Sequence, residues 1–439
     1  MIQGALSRLS LAGLAATLIG NGIGRFAFIA LVPALIDAGW FTKGQASYLS
    51  VATLVGYVLG AWATESLTMR FRISTLLRGA MLACSLSFFA CAVEGAPMLW
   101  YFFWRTAAGV CGAILMVLPA PVVLPKCDIA VRGRASGIVF SGIGLGAVIS
   151  GALIPVLIAG IGVGVVFGDR FFPIAFRGVA GAWLGMGAVC LALTAAAWRQ
   201  WPPEANETRG AASPGEASRS EIPPEASKTV WLILMAHGLN AVGYLAHTLF
   251  WVDYTVRELG MSLATGGFYW SMFGLGAAVG PLLTGSLADV FGLKRCLIGG
   301  FALKALAAAL PLWSSSAPAL FASSILMGVF TPGIVALVSA YTLESVGPHL
   351  HRRAWGMATF SFSVAQAAGG FLMATAAVHM DSYRPFFLAS AISLLGAIIC
   401  TALIRKVTTQ AIPKVEEEMA ANDRIETNDI QSADAVLEK

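Results

Sequence analysis

The sequence predicts an all-α membrane protein whose twelve transmembrane helices form two pseudo-symmetric six-helix bundles. Three observations carry this. Only 12% of the 439 residues are charged and 57% are hydrophobic, with a mean hydropathy of +0.77, whereas soluble domains carry about 25% charged residues. The apolar residues fall in runs of about twenty, the length that crosses a bilayer as a helix, without the alternating polar face of a membrane strand. A polar, Pro- and Glu-rich stretch then divides these runs six and six.

In chain order the helices are expected at 10–36, 46–68, 73–93, 98–124, 135–159, 174–198, 229–252, 264–288, 295–313, 317–343, 354–378 and 385–404. The first run could imitate a signal peptide after Arg8. It is too long for one and continues through Arg25 without a small-residue cleavage pattern, so it is expected to remain as the first span. At its centre stands Gly20-Asn21-Gly22-Ile23-Gly24-Arg25-Phe26-Ala27-Phe28. A charge at that depth costs roughly 2.5–3.5 kcal/mol on insertion scales, so such residues face a bundle interior or a wet cavity. Helical spacing puts Asn21, Arg25 and Phe28 on one stripe, and the three glycines let neighbouring helices approach closely in lipid. Arg25 is therefore a candidate anion-binding or ion-coupling position, or else a structural arginine satisfied by a neighbouring helix.

Spans two to six add Arg105 in the fourth and a glycine-rich fifth, Ser141-Gly142-Ile143-Gly144-Leu145-Gly146 followed by Gly151 and Pro155. Pro119 and Pro121 in the fourth, and Pro332-Gly333 in the tenth, are kink candidates. Span seven is the most polar. His237, Asn240, Tyr244, His247 and Trp251 fall at i, i+3, i+7, i+10 and i+14, one narrow stripe that does not belong against lipid. Histidine also titrates near physiological pH, as a proton-coupling group needs. Lys304 in span nine is explained by snorkelling or by a partner in the C-terminal half as well as by function, and Gln366 in span eleven by an interhelical hydrogen bond.

The organisation is expected to be a bundle over 1–198, a linker over 199–228, a second bundle over 229–406 and an acidic tail over 407–439. The linker and tail lack the apolar content to pack. Lys and Arg mark orientation. The N-terminus, the short even-to-odd loops and the end of the last span hold thirteen: Arg8, Arg70, Arg72, Arg78, Lys126, Arg132, Arg134, Lys294, Arg295, Arg352, Arg353, Arg405 and Lys406. The opposite loops hold five: Lys43, Arg170, Arg177, Arg257 and Arg384. Both termini are expected in the cytoplasm of a bacterial inner-membrane protein. The net charge of +5 resides at span ends and does not suggest nucleic acid. Seven cysteines show no zinc or disulfide spacing. No nucleophile–base pair, metal cluster or phosphate loop is visible, so neither an enzyme nor a cofactor is expected.

The two bundles share a pattern. Asn21-x-x-Gly24-Arg25-x-Ala27-Phe28 aligns with Asn240-x-x-Gly243-Tyr244-x-Ala246-His247 at a constant offset, with Arg25 exchanged for Tyr244 and Phe28 for His247. Duplicated halves of this kind are common in transporters.

After span eight the chain reads Gly285-Ser286-Leu287-Ala288-Asp289-Val290-Phe291-Gly292-Leu293-Lys294-Arg295. This resembles the G-x-L-A-D-x-x-G-x-[KR]-R loop of the major facilitator superfamily, at its second-half place. The first-half equivalent is degraded to Ala61, Glu65, Arg70 and Arg72, without the second Gly. The resemblance makes Gly285, Asp289, Gly292, Lys294 and Arg295 a gating motif, an inter-helix latch; otherwise they anchor the loop. Arg105-Thr106-Ala107-Ala108-Gly109 resembles that superfamily's fourth-helix R-x-x-x-G, which implies a role for Arg105 in substrate charge or proton coupling. Span five resembles the antiporter helix but lacks its Gly-Pro pair. Gly22-Ile23-Gly24-Arg25-Phe26-Ala27-Phe28 with Pro33, and Gly243-Tyr244 with Asp253, resemble the YbfB/YjiJ-like bacterial subgroup. By the resemblance, spans one, four, seven and ten line a central cavity, with the span-seven stripe opposite Asn21 and Arg25.

The expected function is secondary transport of a small organic anion, a carboxylate, by alternating access with proton coupling, performed by a monomer in the lipid bilayer. Arg25, Asn21, Phe28, Asn240, Tyr244 and Arg105 would bind substrate; His247 or His237 would carry the proton. Efflux of amphipathic drugs is the alternative of the same class, and a non-transporting membrane sensor that of another.

Overall fold

The computed structural model of the chain describes residues 6–127, 132–167, 170–202 and 224–404. Most of the expected linker and all of the expected tail lie outside them. Among the described residues twelve helices are long and apolar enough to cross a membrane. In the N-terminal half these are α1 (Arg8–Asp37), α2 (Lys43–Thr64), α3 (Ile73–Cys91), α4 (Met98–Lys126), α5 (Arg134–Ala159) and α6 (Gly178–Ala197). In the C-terminal half they are α7 (Ala226–Glu258), α8 (Leu263–Phe291), α9 (Leu293–Trp313), α10 (Ala317–Gly347), α11 (Arg353–Val378) and α12 (Arg384–Leu403). Both ends of the described chain therefore lie on one side, the terminal face.

Four boundaries differ from expectation. The apolar stretch before α6 is not helical: β1 (Ile161–Phe167) pairs antiparallel with β2 (Arg170–Phe176), Ile161 opposite Phe176 and Phe167 opposite Arg170. Hydropathy alone does not distinguish such a stretch from a helix. The expected linker is also shorter at both ends. The Arg78 guanidinium donates to the Trp198 and Trp201 carbonyls at 2.8 and 3.2 Å, docking that turn on α3, and α7 has already begun before Lys228. Finally, α10 and α11 run on from one another, interrupted only by Gly347 at φ +77°.

The halves repeat in detail. After α1, Gly39 turns the chain at φ +74° and Thr42 caps α2, its hydroxyl accepting from the Gln45 N–H while the Gln45 amide accepts from the Thr42 N–H. After α7, Gly260 turns at φ +68° and Ser262 caps α8. A non-glycine residue would be strained at either turn, and each cap satisfies a helix N–H that would otherwise be orphaned. The same correspondence governs packing. A methyl added at Gly56, Gly60 or Gly109 would strike α4 or α2 backbone; at Gly276, Gly280 or Gly328 it would strike α10 or α8 backbone. In lipid, close backbone approach of this kind is a main source of helix association.

α1 sits at the centre of its half, and its glycines explain how. Gly20 lies against Leu115 and Gly112 of α4, Gly22 against Gly142 and Gly146 of α5, and Gly24 against Cys84 of α3. A π-helical turn over Leu18–Ile23 interrupts α1 between these contacts, a feature frequent at functional sites. Two seams join the halves. Along one, Gly144 and Gly151 of α5 meet Gly274 and Gly267 of α8; along the other, α2 meets α11, with Leu54 packed on Gly370 and Val378 on Gly44.

Candidate functional site

Arg25 is the eighteenth of the thirty residues of α1, and its guanidinium joins the two halves. Nη2 donates to the Tyr244 hydroxyl of α7 at 3.0 Å, and Nη1 donates to Gln366 Oε1 of α11 at 3.2 Å. The Tyr244 hydroxyl itself donates to Gln366 Oε1. The Arg25 Cζ lies 5.6 Å from the Tyr244 ring centre and 5.6 Å from that of Phe26. Phe26 in turn packs edge-on against Trp270 and Phe273 of α8. Among the described residues no carboxylate pairs with Arg25.

A small cleft of about 10 Å³, room for about one water, lies between the halves beside this junction. Arg25 and Phe28 of α1, Ser50 and Thr53 of α2, Arg105 of α4 and Thr248 of α7 line it, with Leu54 and Leu249 as apolar walls. Two guanidiniums and three hydroxyls thus face one space whose lining contains no acid. Arg105 is buried, with 2% exposed. Its Nη1 donates to the Gly24 carbonyl at 3.0 Å and its Cζ stands 4.5 Å from the Phe28 ring, a cation–π contact that burial strengthens. Its Nε has no acceptor, and neither does Gln366 Nε2; both are buried. The local chemistry is an excess of donors and positive charge. Acceptor-only groups, carboxylates above all, complete such a site, and a planar guanidinium fork suits them.

Of the residues singled out from sequence, Arg25, Phe28 and Arg105 share this cleft, and Tyr244 holds Arg25 at its edge. Asn21 does not reach it: its Nδ2 donates to the Gly112 carbonyl of α4 at 2.9 Å, and the side chain is buried between the two helices. Nor does the span-seven stripe stay on one cavity-facing surface. α7 breaks at Tyr244, where φ and ψ are −112° and 0°, and the others turn into the C-terminal half. Asn240 Oδ1 accepts from Lys304 Nζ at 2.8 Å. His237 packs on Trp355 and Phe362. His247 stacks on Trp251 with ring centres 4.5 Å apart, and its Nε2 is hydrogen-bonded at 2.8 Å to Ser323 Oγ, which itself donates to the Ala307 carbonyl. Sequence reasoning missed Gln366 as part of the Arg25 junction, and it missed Ser50, Thr53 and Thr248. A lone polar residue in an apolar run carries no signal of which neighbour it meets.

The face opposite the termini is closed. Arg257 at the end of α7 lies 3.3 Å from Asp37 at the end of α1 and 3.7 Å from Asp253. Asp253 is buried and accepts from the Tyr383 hydroxyl. Tyr383 precedes α12, and burial, then the Asp253 charge, pushes its phenol above the usual range, so it stays a donor. Lys43 Nζ donates to the Met380 carbonyl at 2.7 Å, and Tyr48 to Thr375 at 3.4 Å. On the terminal face the α8–α9 loop is differently engaged. Gly292 turns it at φ +83°, which accounts for the second glycine of the motif; the corresponding first-half turn runs through Phe71 and Arg72 at φ −123° and −64° and needs none. Lys294 Nζ donates to the Ala402 and Ile404 carbonyls at 2.9 and 2.8 Å, within its own half. Asp289 and Arg295 are exposed, and Asp289 is in no ion pair among the described residues. The expected latch is thus not engaged in this conformation.

No functionally curated protein matches the chain in sequence. Among solved structures it is similar to a bacterial homologue of the human lysosomal transporter Spinster. In the inward-facing, unoccupied form of that protein the TM-score is 0.63 at 15% identity, covering 91% of this chain and 95% of the other. In the inward-facing, occupied form it is 0.64 at 15% identity, covering 90% and 93%. The nucleoside transporter NupG gives 0.71 at 11% identity, covering 91% and 100%. At these identities the likeness is one of fold. The family described as uncharacterised MFS-type transporter YbfB has a model that matches residues 17–402. With that match over nearly the whole chain, and with twelve spans in two repeated halves, this protein belongs to that family of major facilitator superfamily transporters.

Proposed function

We propose that this transporter moves a small organic anion, a carboxylate, across the bacterial inner membrane by alternating access, coupled to protons and acting as a monomer. One observation carries the reading: Arg25 and Arg105 face the same cleft between the halves, with buried donors left over and no acid in the lining. A lining with two guanidiniums and no acid supports the anion over the alternative, efflux of amphipathic drugs, whose cationic members such a site would repel. The excess of Lys and Arg on the terminal face argues that this face is cytoplasmic. The opposite face is tied across the halves at Asp37–Arg257 and Lys43–Met380, so alternating access requires those contacts to break. Coupling has an energetic reason. Carrying one negative charge inward against an inside-negative potential costs about 2.3 kcal/mol per 100 mV, which one co-transported proton cancels.

The test is thermal stabilisation of the purified protein by a panel of carboxylates and of amphipathic cations, followed by flux in reconstituted vesicles. Stabilisation by a carboxylate that disappears in Arg25→Gln, with flux of the same compound, is the expected result. Stabilisation by amphipathic cations alone would overturn the anion reading in favour of efflux, and binding without flux would favour a sensor.

A further inference from the structure

The cleft does not account for Lys304. It is the twelfth of the 21 residues of α9, mid-span, with 0% of the residue exposed. Its ammonium has one hydrogen-bond partner, the neutral Asn240 amide, at 2.8 Å, and it stands 5.1 Å from the Tyr244 ring centre. Among the described residues no acid pairs with it. Of the titratable groups of α7, His237 packs on Trp355 and Phe362 and His247 is bonded to Ser323 within the same half, and the Tyr244 ring lies beneath Lys304. The helices on its other sides supply none at this level. Tyr341 and Glu344 of α10, and Arg384 and Cys400 of α12, belong to the ends of those helices. His237, His247 and Lys304 are thus buried in one half with no acid paired to Lys304 among the described residues, and burying an unpaired charge is costly.

We propose that Lys304 is a proton-binding site of the transport cycle, its charge linked to that of Arg25 across the Tyr244 ring. The assignment rests on the anion reading of the Arg25 cleft for its place in the cycle, but not for its proton chemistry. Asn240 is a suitable partner because it does not fix the charge. Its Oδ1 accepts from the ammonium, and its Nδ2, buried and without an acceptor, can turn to donate to the lone pair of the amine. An acid at that position would hold the proton permanently. On release the Nζ–H bond breaks, the electron pair stays on nitrogen and the proton passes to water once the half opens.

The link to Arg25 follows from distance. The two cations stand 5.6 and 5.1 Å from the same ring centre, and are therefore no more than about 11 Å apart. At an effective dielectric of about 20, two like charges at that separation lower each other's proton affinity by about tenfold. An anion bound at Arg25 and Arg105 removes that penalty, so anion and proton each favour the binding of the other by the same factor. That is the thermodynamic requirement of symport.

The experiment is side-chain nitrogen NMR of the full chain labelled at lysine, in detergent micelles, with the Lys304 signal assigned by its loss in Lys304→Arg. The expected signal passes from ammonium to amine as the pH is raised. In Arg25→Gln, which removes the facing charge without any ligand, Lys304 should hold its proton about tenfold more tightly, while Arg25→Lys should leave it nearly unmoved. Sodium benzoate added to the wild type should act as Arg25→Gln does. A signal that remains ammonium throughout, or a titration that neither Arg25→Gln nor benzoate displaces, overturns the proposal. A response to Arg25→Gln without one to benzoate upholds the Lys304 link and counts against the anion reading instead.

Discussion

Arg25 and Tyr244 occupy matching positions in the two repeats, 219 residues apart, and they are hydrogen-bonded to each other at 3.0 Å. Counterparts related by a two-fold rotation can touch only beside the axis of that rotation. The junction therefore marks the pseudo-symmetry axis, and the exchange of arginine for tyrosine is what makes a polar bond there possible. Two arginines would repel, and two tyrosines would leave the cleft without charge. The neighbouring pair Asp37 and Arg257, at nearly the same offset, closes the opposite face along the same line.

Arg25→Lys keeps the charge and loses the fork. Its single nitrogen on a shorter reach cannot hold Tyr244 and Gln366 together while offering a planar edge to a carboxylate. Hydrogen bonds to charged groups contribute about 1.5–3 kcal/mol, so flux in vesicles should fall by at least about tenfold, with membrane insertion intact. Near-normal flux would remove Arg25 from the site.

Arg105→Gln should weaken carboxylate binding by a comparable factor and also lower thermal stability, because Arg105 ties α4 to the Gly24 carbonyl in a buried setting. Binding measured at a temperature where the variant is folded separates the two effects. Unchanged affinity there would make Arg105 a purely structural link.

The spans were legible because length and hydropathy determine them, and the repeat was legible in Asn21 and Asn240. Arg25 stood out because charge at the midplane is costly. Its partners did not stand out. Gln366 and Lys304 meet Arg25 and Asn240 only through helix rotations that no local pattern encodes. The break at Tyr244 turned His237 and His247 inward, although 3.6-residue spacing put them on one stripe with it. Asn21 read as a site residue because it shares the Arg25 stripe, yet the π turn just before Arg25 lets it spend its amide on Gly112.

The closed face supplies a graded test. Asp37 is 59% and Arg257 34% exposed, and exposed ion pairs contribute only about 0–1 kcal/mol. Asp37→Asn should therefore alter spin-label distances across that face slightly. Arg257→Gln also deprives the buried Asp253 of its cation and should widen them more. Equal responses would mean that Asp253 has no part in the closure.

Asp289→Asn should leave this conformation's thermal stability within about 0.5 kcal/mol, the usual effect of an exposed substitution, since Asp289 is exposed and in no ion pair here. If the loop latches the opposite state, turnover falls and spin-label distances shift further toward the present form. Unaltered turnover and distances would reduce the motif to an anchor, the role Lys294 already serves on the α12 carbonyls.

His247 tests where the coupling proton sits. In the C-terminal half it is bonded to Ser323 and stacked on Trp251, with Lys304 in electrostatic reach. A proton on Lys304 and a proton on His247 would repel, so the pair is expected to carry one between them. His247→Gln retains a hydrogen-bonding group for Ser323 and removes the imidazole charge. If Lys304 is the carrier, exchange of substrate across vesicles and pH-driven accumulation should both persist, with the pH dependence displaced by less than about tenfold. Lys304→Met should abolish accumulation while exchange survives. The reverse pattern, accumulation lost in His247→Gln and kept in Lys304→Met, would transfer the proton to the histidine. Loss of exchange together with accumulation in both variants would show that these side chains pack the half rather than couple it, leaving Asp253, the buried acid beside Tyr383, as the group to titrate.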